Sequence, residues 1–159
     1  MADCIIAQIT ANRKAVLKAI TSTGGAYTFT PGAVEEQRIA RNINGRYPYM
    51  TLSKMPISPE TENNKSEHTK IQYLVTYEDL WDDSDNSKDE ILYHFRNVNA
   101  DIVKAWMADR SCGGLAELTR TIDADDAIVV DDKGLCFYYS YVLFEVETLI
   151  DSSNPYLKG

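Results

Sequence analysis

Cysteine and histidine are scarce in this sequence. Its 159 residues include three cysteines and two histidines. Cys4, Cys112 and Cys136 are an odd number without CxxC spacing, and His68 and His94 lie far apart, so neither a disulfide framework nor a zinc site is predicted. Free thiols indicate synthesis in a reducing cytoplasm.

Motifs that cradle phosphate are missing as well. The glycine pairs Gly24-Gly25 and Gly113-Gly114 match neither the GxxxxGK[ST] nor the GxGxxG pattern and are typical of helix ends. No apolar window approaches the roughly 18 residues of a membrane-spanning helix. The N-terminus lacks the basic stretch and long apolar run of a signal peptide. We therefore expect no cofactor and no membrane partner.

Basic residues are fewer than acidic residues in this sequence. Sixteen lysines and arginines stand against 24 aspartates and glutamates, which gives a formal net charge of −8. Such a surface repels phosphate backbones, and the densest basic stretch (Arg38, Arg41 and Arg46) has no interleaved aromatic residues. Specific nucleic-acid binding is therefore not predicted.

Two acidic clusters have ordinary structural explanations. The first, around Asp82, Asp83 and Asp85, lacks the central glycine of a calcium-binding loop and suits the start of a helix. The second, from Asp123 to Asp132, is explained by turn chemistry. With no catalytic motif and no metal-ligand spacing, the sequence predicts a protein that is not an enzyme and binds no metal.

The first 20 residues have helical periodicity. Isoleucine, valine and leucine recur from Ile5 to Ile20, which leaves Asn12, Arg13 and Lys14 facing outward. The stretch Thr21–Gly25 then ends the helix.

A second and longer helix is the clearest element in the chain. Ser87 and Glu90 fit a capping box at its start, and one apolar stripe follows. The stripe comprises Ile91, Leu92, Phe95, Val98, Ile102, Val103, Trp106 and Met107, while Lys88, Asp89, Arg96, Asp101 and Lys104 face elsewhere.

Several segments alternate like strands. They are Tyr47–Leu52, Ile71–Tyr77 and a C-terminal hairpin made of Ala127–Val130 and Leu135–Glu147, with Leu118–Ile122 as a further short strand before the hairpin. Helices on one face of a mainly antiparallel sheet are the natural packing for this order, so we predict the α+β class.

Two segments are harder to assign. Ala33–Arg41 fits a short helix, although its apolar face is thin. The polar stretch Ser53–Thr69 is long for a hairpin connection and predicts an extended β-hairpin arm. We therefore expect a single domain over residues 1–150, a protruding arm at 53–70 and a tail at 151–159.

The order of these elements resembles a known family. An N-terminal helix, an aromatic-proline strand (Tyr47-Pro48-Tyr49-Met50-Thr51-Leu52), a polar loop and the strand Ile71–Tyr77 precede an acidic break. A long amphipathic helix and a hairpin ending in Phe144-Glu145-Val146 follow. This pattern, over nearly the whole chain, is similar to the tail-terminator and tail-completion (minor tail, neck) proteins of long-tailed bacteriophages.

The resemblance implies a structural virion protein. Such a protein forms a homo-oligomeric ring, commonly a hexamer, on the head-proximal end of the tail tube. The ring stops tube polymerisation and joins the tube to the head connector or stopper protein, and DNA passes through its lumen without specific binding. The expected location is the tail or neck of the virion, after assembly in the host cytoplasm.

The resemblance also suggests where contacts lie. We expect the subunit or tube contact on the arm and on the acidic loop that follows the second strand. The candidate interface residues are Lys54, Met55, Ile57, Glu60, Glu62, Lys65, Glu67, Asp82, Asp83 and Asp85.

Other interpretations stay open at this point. A head-completion or neck adaptor or stopper protein has similar size and polarity. A small binding module outside viruses is a third possibility, which a ligand-sized apolar pocket would favour. An enzyme of unrecognised type would require clustered carboxylates with perturbed pKa values.

Overall fold

Two helices and seven strands make up the described part of the chain. In a computed structural model, the described residues are 3–37, 47–56, 58–61, 66–80, 88–130, 136–151 and 153–159. The elements follow the order α1 (Ile5–Lys18), β1 (Ala33–Glu36), β2 (Tyr49–Lys54), β3 (Ser58–Thr61), β4 (Ser66–Leu80), α2 (Lys88–Met107), β5 (Leu118–Val130), β6 (Cys136–Asp151) and β7 (Asn154–Lys158). The predicted α+β class is confirmed, with both helices on one face of a mixed, mainly antiparallel sheet.

The strands β4 and β6 form the centre of the sheet. All 15 residues of β4 pair antiparallel with β6, from Ser66 opposite Asp151 to Leu80 opposite Phe137. The strand order is β1-β2-β4-β6-β5, while β3 pairs with the start of β4 and β7 with the end of β6. The strands predicted near residues 47–52, 71–77 and 135–147 correspond to β2, β4 and β6.

Alternation along the central strands creates the core. Every second residue of β4, from Ile71 to Tyr77, is buried beneath the helices, and the intervening residues point to the opposite face of the sheet. We call that opposite face the second face. From α2, Trp106 stacks on Phe144 of β6 with ring centroids 4.2 Å apart, and it also contacts Tyr73. The predicted apolar stripe of α2 is therefore the helix contribution to the core.

Arg13 corrects the prediction that it faces outward. Its side chain is fully buried between α1 and the end of α2. Nη1 donates a 2.7 Å hydrogen bond to the carbonyl of Trp106, and the guanidinium lies 5.4 Å from the centroid of the Trp106 ring. Asp109 lies 3.6 Å from Nη2. The charge is tolerated because a helix C-terminus, an aromatic face and a carboxylate all stabilise a cation.

Asp101 was also expected to point away from the core, yet it is 9% exposed. Its Oδ2 accepts hydrogen bonds of 2.6 Å from both the backbone N–H and the hydroxyl of Thr28. Lys104, one turn later, donates to the carbonyl of Ala26. These polar side chains hold the irregular segment after α1 against α2, and Phe29 from that segment packs on Tyr77.

The predicted helix at Ala33–Arg41 is wrong. Residues Ala33–Glu36 form β1, which pairs parallel with β2. A helix here would have had too little apolar surface to bury, whereas a strand needs only alternate residues, and Val34 is buried. The rest of the predicted helix, residues 38–41, lies outside the described residues.

The C-terminal third differs from the prediction in two places. Leu118–Ile122 is not a separate strand but the first part of β5, which continues past a β-bulge between Thr121 and Asp123. Residues 151–159 were expected to be a tail, but they include β7. Lys158 of β7 forms a 2.6 Å ion pair with Glu117. The predicted capping box at Ser87 lies outside the described residues.

We expect Trp106→Ala to lower the free energy of unfolding by about 3–5 kcal/mol, because the side chain is fully buried and its removal leaves a cavity. Urea unfolding followed by circular dichroism measures this change. Tyr93→Ala on the same helix is the matched control, since Tyr93 is 68% exposed and its loss should cost less than about 0.5 kcal/mol. Equal effects of the two substitutions would contradict the assigned core.

Candidate functional site

The described cysteines and histidines do not converge on a reactive centre. Cys112 is buried, and burial raises the pKa of its thiol, which disfavours the reactive thiolate. Cys4 is a free, half-buried thiol, and the side chain of Cys136 is outside the described residues. Within the described ranges, no group of three or more histidine, cysteine or acidic side chains is arranged to hold a metal ion.

Four of the ten predicted interface residues belong to the described part of the chain, and six lie outside it. Lys54 ends β2, Met55 follows it on the surface, Glu60 lies on β3 and Glu67 on β4. The arm is therefore formed in part by β3, and β4 is paired with β6 along this same stretch. The predicted residues that lie outside the described part of the chain are Ile57, Glu62, Lys65, Asp82, Asp83 and Asp85.

An open depression lies beside two of these residues. It has a volume of about 610 Å³ and separates α1 from the ends of β1 and β2. Its described lining is Lys14, Glu36, Gln37, Lys54, Met55 and Pro56. Because the lining mixes both charges with small apolar areas and is open to solvent, it does not resemble the enclosed apolar pocket of a small-molecule site.

A polar network crosses the second face from β4 to β5. The Nε of Arg120 donates a 2.9 Å hydrogen bond to Glu145, which also accepts a bond from Gln72. Glu147 lies 3.6 Å from Arg120 and 3.3 Å from His68. Burial alone would raise the pKa of Glu145, but the bonds from Arg120 and Gln72 outweigh it, so the pKa is lowered. The network keeps Arg120 on the second face, next to the end of the sheet.

The long strand β5 ends the sheet on that side. Among the described strands it pairs with β6 alone, and residues 120–125 are all exposed. Leu118 and Ile122 are each 43% exposed, and Tyr156 on neighbouring β7 is exposed as well. An edge strand presents unpaired backbone N–H and C=O groups, so this apolar edge is suited to pairing with another strand.

A second cluster of titratable groups lies where β4 meets α2. The hydroxyl of Tyr77 donates a 2.9 Å hydrogen bond to Asp79, and His94 Nε2 lies 3.4 Å from that hydroxyl and 4.0 Å from Asp79. Burial raises the pKa of Asp79 and lowers the pKa of His94, although the Asp79 carboxylate opposes the second shift. The Tyr77 hydroxyl is committed to Asp79, and burial is the main cause of its raised pKa. The cluster also joins β4 to α2, because the Tyr77 ring packs on His94 and Phe95.

Sequence reasoning missed the β5 edge because no local pattern encodes it. The alternation that predicts a strand is the same in a central and an edge strand, and the neighbours are set by topology. One signal was present: Asp123, Asp125 and Asp126 fall within four residues of a strand. Charged residues are a common feature of exposed sheet edges.

We predict that His94→Gln reduces the pH dependence of stability between about pH 8 and about pH 5. The lowered pKa means that the unfolded chain, near the ordinary value of 6.5, binds a proton that the folded chain does not. The His94 contribution is therefore present above about 6.5 and is lost as the pH falls. Urea unfolding at several pH values measures the slope, and identical slopes for the two proteins would contradict the assignment.

Protein-family models and curated proteins were compared with the chain. No protein-family model matches the chain, and no curated protein matches it significantly. Across the described residues, neither helix has the length and apolar character that a membrane crossing requires. Three features bear on function: the edge of the sheet, the charge of the chain and the resemblance in the order of its elements.

Proposed function

We propose that this protein is a virion assembly subunit of the tail-terminator type. It forms a closed homo-oligomeric ring that caps the head-proximal end of a phage tail tube. The ring ends tube polymerisation and offers a surface to the head connector. The protein acts by binding and carries out no reaction.

The observation that carries this proposal is the exposed edge of β5. Natural sheets protect their edges with short strands, proline or a covering segment, because an uncovered edge invites pairing with another chain. β5 is 13 residues long, and two large apolar side chains near its start, Leu118 and Ile122, are exposed to solvent. Such an edge suits a protein that assembles with copies of itself.

A ring would use both ends of the sheet, which are formed by different strands. The order of described strands begins at β1 and ends at β5, so a contact between β5 of one copy and β1 of the next joins two different surfaces. Contacts of this heterologous kind produce a closed ring when the rotation between neighbours returns to the start. A two-fold dimer would instead join one surface to itself.

The charge of the chain agrees with a ring through which DNA passes. A formal net charge of −8 opposes the phosphate backbone, so a channel built from such subunits binds DNA weakly. Asp123 and Asp125 on β5 and Glu145 and Glu147 on β6 place part of this charge on the second face.

We expect the purified protein to form discrete species of several subunits as its concentration rises, because each copy offers two complementary ends. Multi-angle light scattering gives their mass, and negative-stain imaging should show closed rings with a central hole. Adding the rings to a polymerising tail tube protein should shorten the tubes, which separates a terminator from a neck adaptor. A protein that stays monomeric at every concentration would refute the proposal.

Lysine substitutions on β5 and on α2 give a matched pair of variants. Leu118→Lys inserts a charge into the exposed apolar part of β5, so the midpoint concentration for assembly should rise by about tenfold or more. Tyr93→Lys, at an exposed position on α2, should leave that midpoint unchanged. Equal midpoints for the two variants would show that β5 takes no part in assembly.

A further inference from the structure

We infer that the first half of β5, Leu118–Thr121, pairs antiparallel with β1 of the next copy, with Arg120 opposite Glu35 of that copy. This inference rests on the proposed ring and names the two strands that close it. A continuous sheet then runs from one subunit into the next.

The bulge divides β5 into two unlike halves. The four residues Leu118–Thr121 before the bulge have one charge, which is the positive charge of Arg120. Asp123, Asp125 and Asp126 follow within four residues after it. A bulge bends a strand and interrupts its hydrogen-bond ladder, and like charges placed opposite each other oppose pairing. Pairing with another acidic strand is therefore confined to the first half.

The strand β1 matches that half in length, direction and charge. It is four residues long and contains two negative charges, Glu35 and Glu36. β1 runs parallel to β2, whereas β2, β4, β6 and β5 alternate in direction, so β1 and β5 run in opposite directions. When a second copy in the same orientation continues the sheet, its β1 meets β5 as an antiparallel neighbour, for which hydrogen bonds are well aligned.

The faces of the two strands select the register. Arg120 lies on the second face through its pairing with Glu145, and Glu35 lies on the same face through its pairing with Thr51. Directly opposite residues of an antiparallel pair share a face. Placing Arg120 opposite Glu35 of the next copy therefore also places Thr121 opposite Val34. Leu118 then lies opposite Gln37, which directly follows β1 and donates its backbone N–H to the carbonyl of Leu52.

Both charged partners are held in position before any contact forms. The Tyr49 hydroxyl donates a 2.9 Å hydrogen bond to Glu35, and Gln37 approaches the same carboxylate oxygen at 3.3 Å. Burial and the Glu35 carboxylate raise the pKa of Tyr49 to about 12, so the hydroxyl stays a donor at neutral pH. Arg120 is oriented by Glu145 and remains 51% exposed. Pre-oriented groups lose little conformational freedom on binding.

Cysteine cross-linking tests the strand pair directly. In a Cys4→Ser background, Leu118→Cys combined with Gln37→Cys should give a ladder of covalent dimers, trimers and larger species under mild oxidation, because the two positions face each other between copies. Either cysteine alone should give no ladder. Leu118→Cys with Tyr93→Cys, an exposed position on α2, is the control for random collision.

The possible results distinguish a wrong strand contact from a wrong ring proposal. Dimers from Leu118→Cys alone would show that β5 pairs with itself and would overturn the proposed contact. Rings in light scattering without a ladder would overturn the contact and leave the ring proposal standing. No assembled species at any concentration would overturn both.

A second pair of variants leaves β1 unchanged. Thr121→Lys lies in the pairing half and should raise the midpoint concentration for assembly by about tenfold. Ala124→Lys lies just beyond the bulge, is exposed like Thr121, and should leave the midpoint unchanged. Melting curves confirm that both variants are folded, and the reverse ranking of the two midpoints would overturn the inference.

Discussion

The antiparallel pairing of β4 with β6 determines where the core, the helices and the outer strands lie. It aligns all 15 residues of β4 in one register, without a shift, from Ser66 opposite Asp151 to Leu80 opposite Phe137. A slip by one residue would turn every core side chain of a strand to the wrong face. With this register, Tyr73 and Phe144 meet beneath the helices, where Trp106 packs against both. The same register brings Gln72 and Glu145 together on the second face, and Arg120 completes that network from β5.

The sequence predicted the parts of the fold that local periodicity encodes. The apolar stripe of α2 and the alternation of β4 and β6 are strong because each repeats over many residues. Three features depend on distant partners and were missed. Arg13 is buried because the end of α2 and Asp109 surround it. β1 is a strand because β2 lies beside it. β7 is a strand because the end of β6 extends to Ile150 and Asp151 and pairs with it. No pattern within a short window contains this information.

The candidate site, like the fold, was predicted from the sequence only in part. The sequence drew attention to the polar stretch after β2, where Lys54 and Met55 now border an open depression next to α1. It did not indicate that β5 would end the sheet, since that follows from the order of strands. The acidic residues of β5 were explained as turn chemistry, whereas Asp123, Asp125 and Asp126 lie within the strand. They leave Leu118–Thr121 as the part of the edge that can accept another strand, and the function proposed here depends on that part.

Hydrogen exchange measured by mass spectrometry, on dilute and on concentrated protein, shows whether β5 of one copy gains β1 of the next copy as a neighbour. An edge strand that gains a neighbour protects backbone N–H groups that were open to solvent. We expect assembly to slow exchange in the peptides covering Leu118–Thr121 and Val34–Gln37, while the already paired amides of β4 and β6 do not change. Protection gained at α1 or along β3, with exchange at Leu118–Thr121 unaltered, would contradict this expectation.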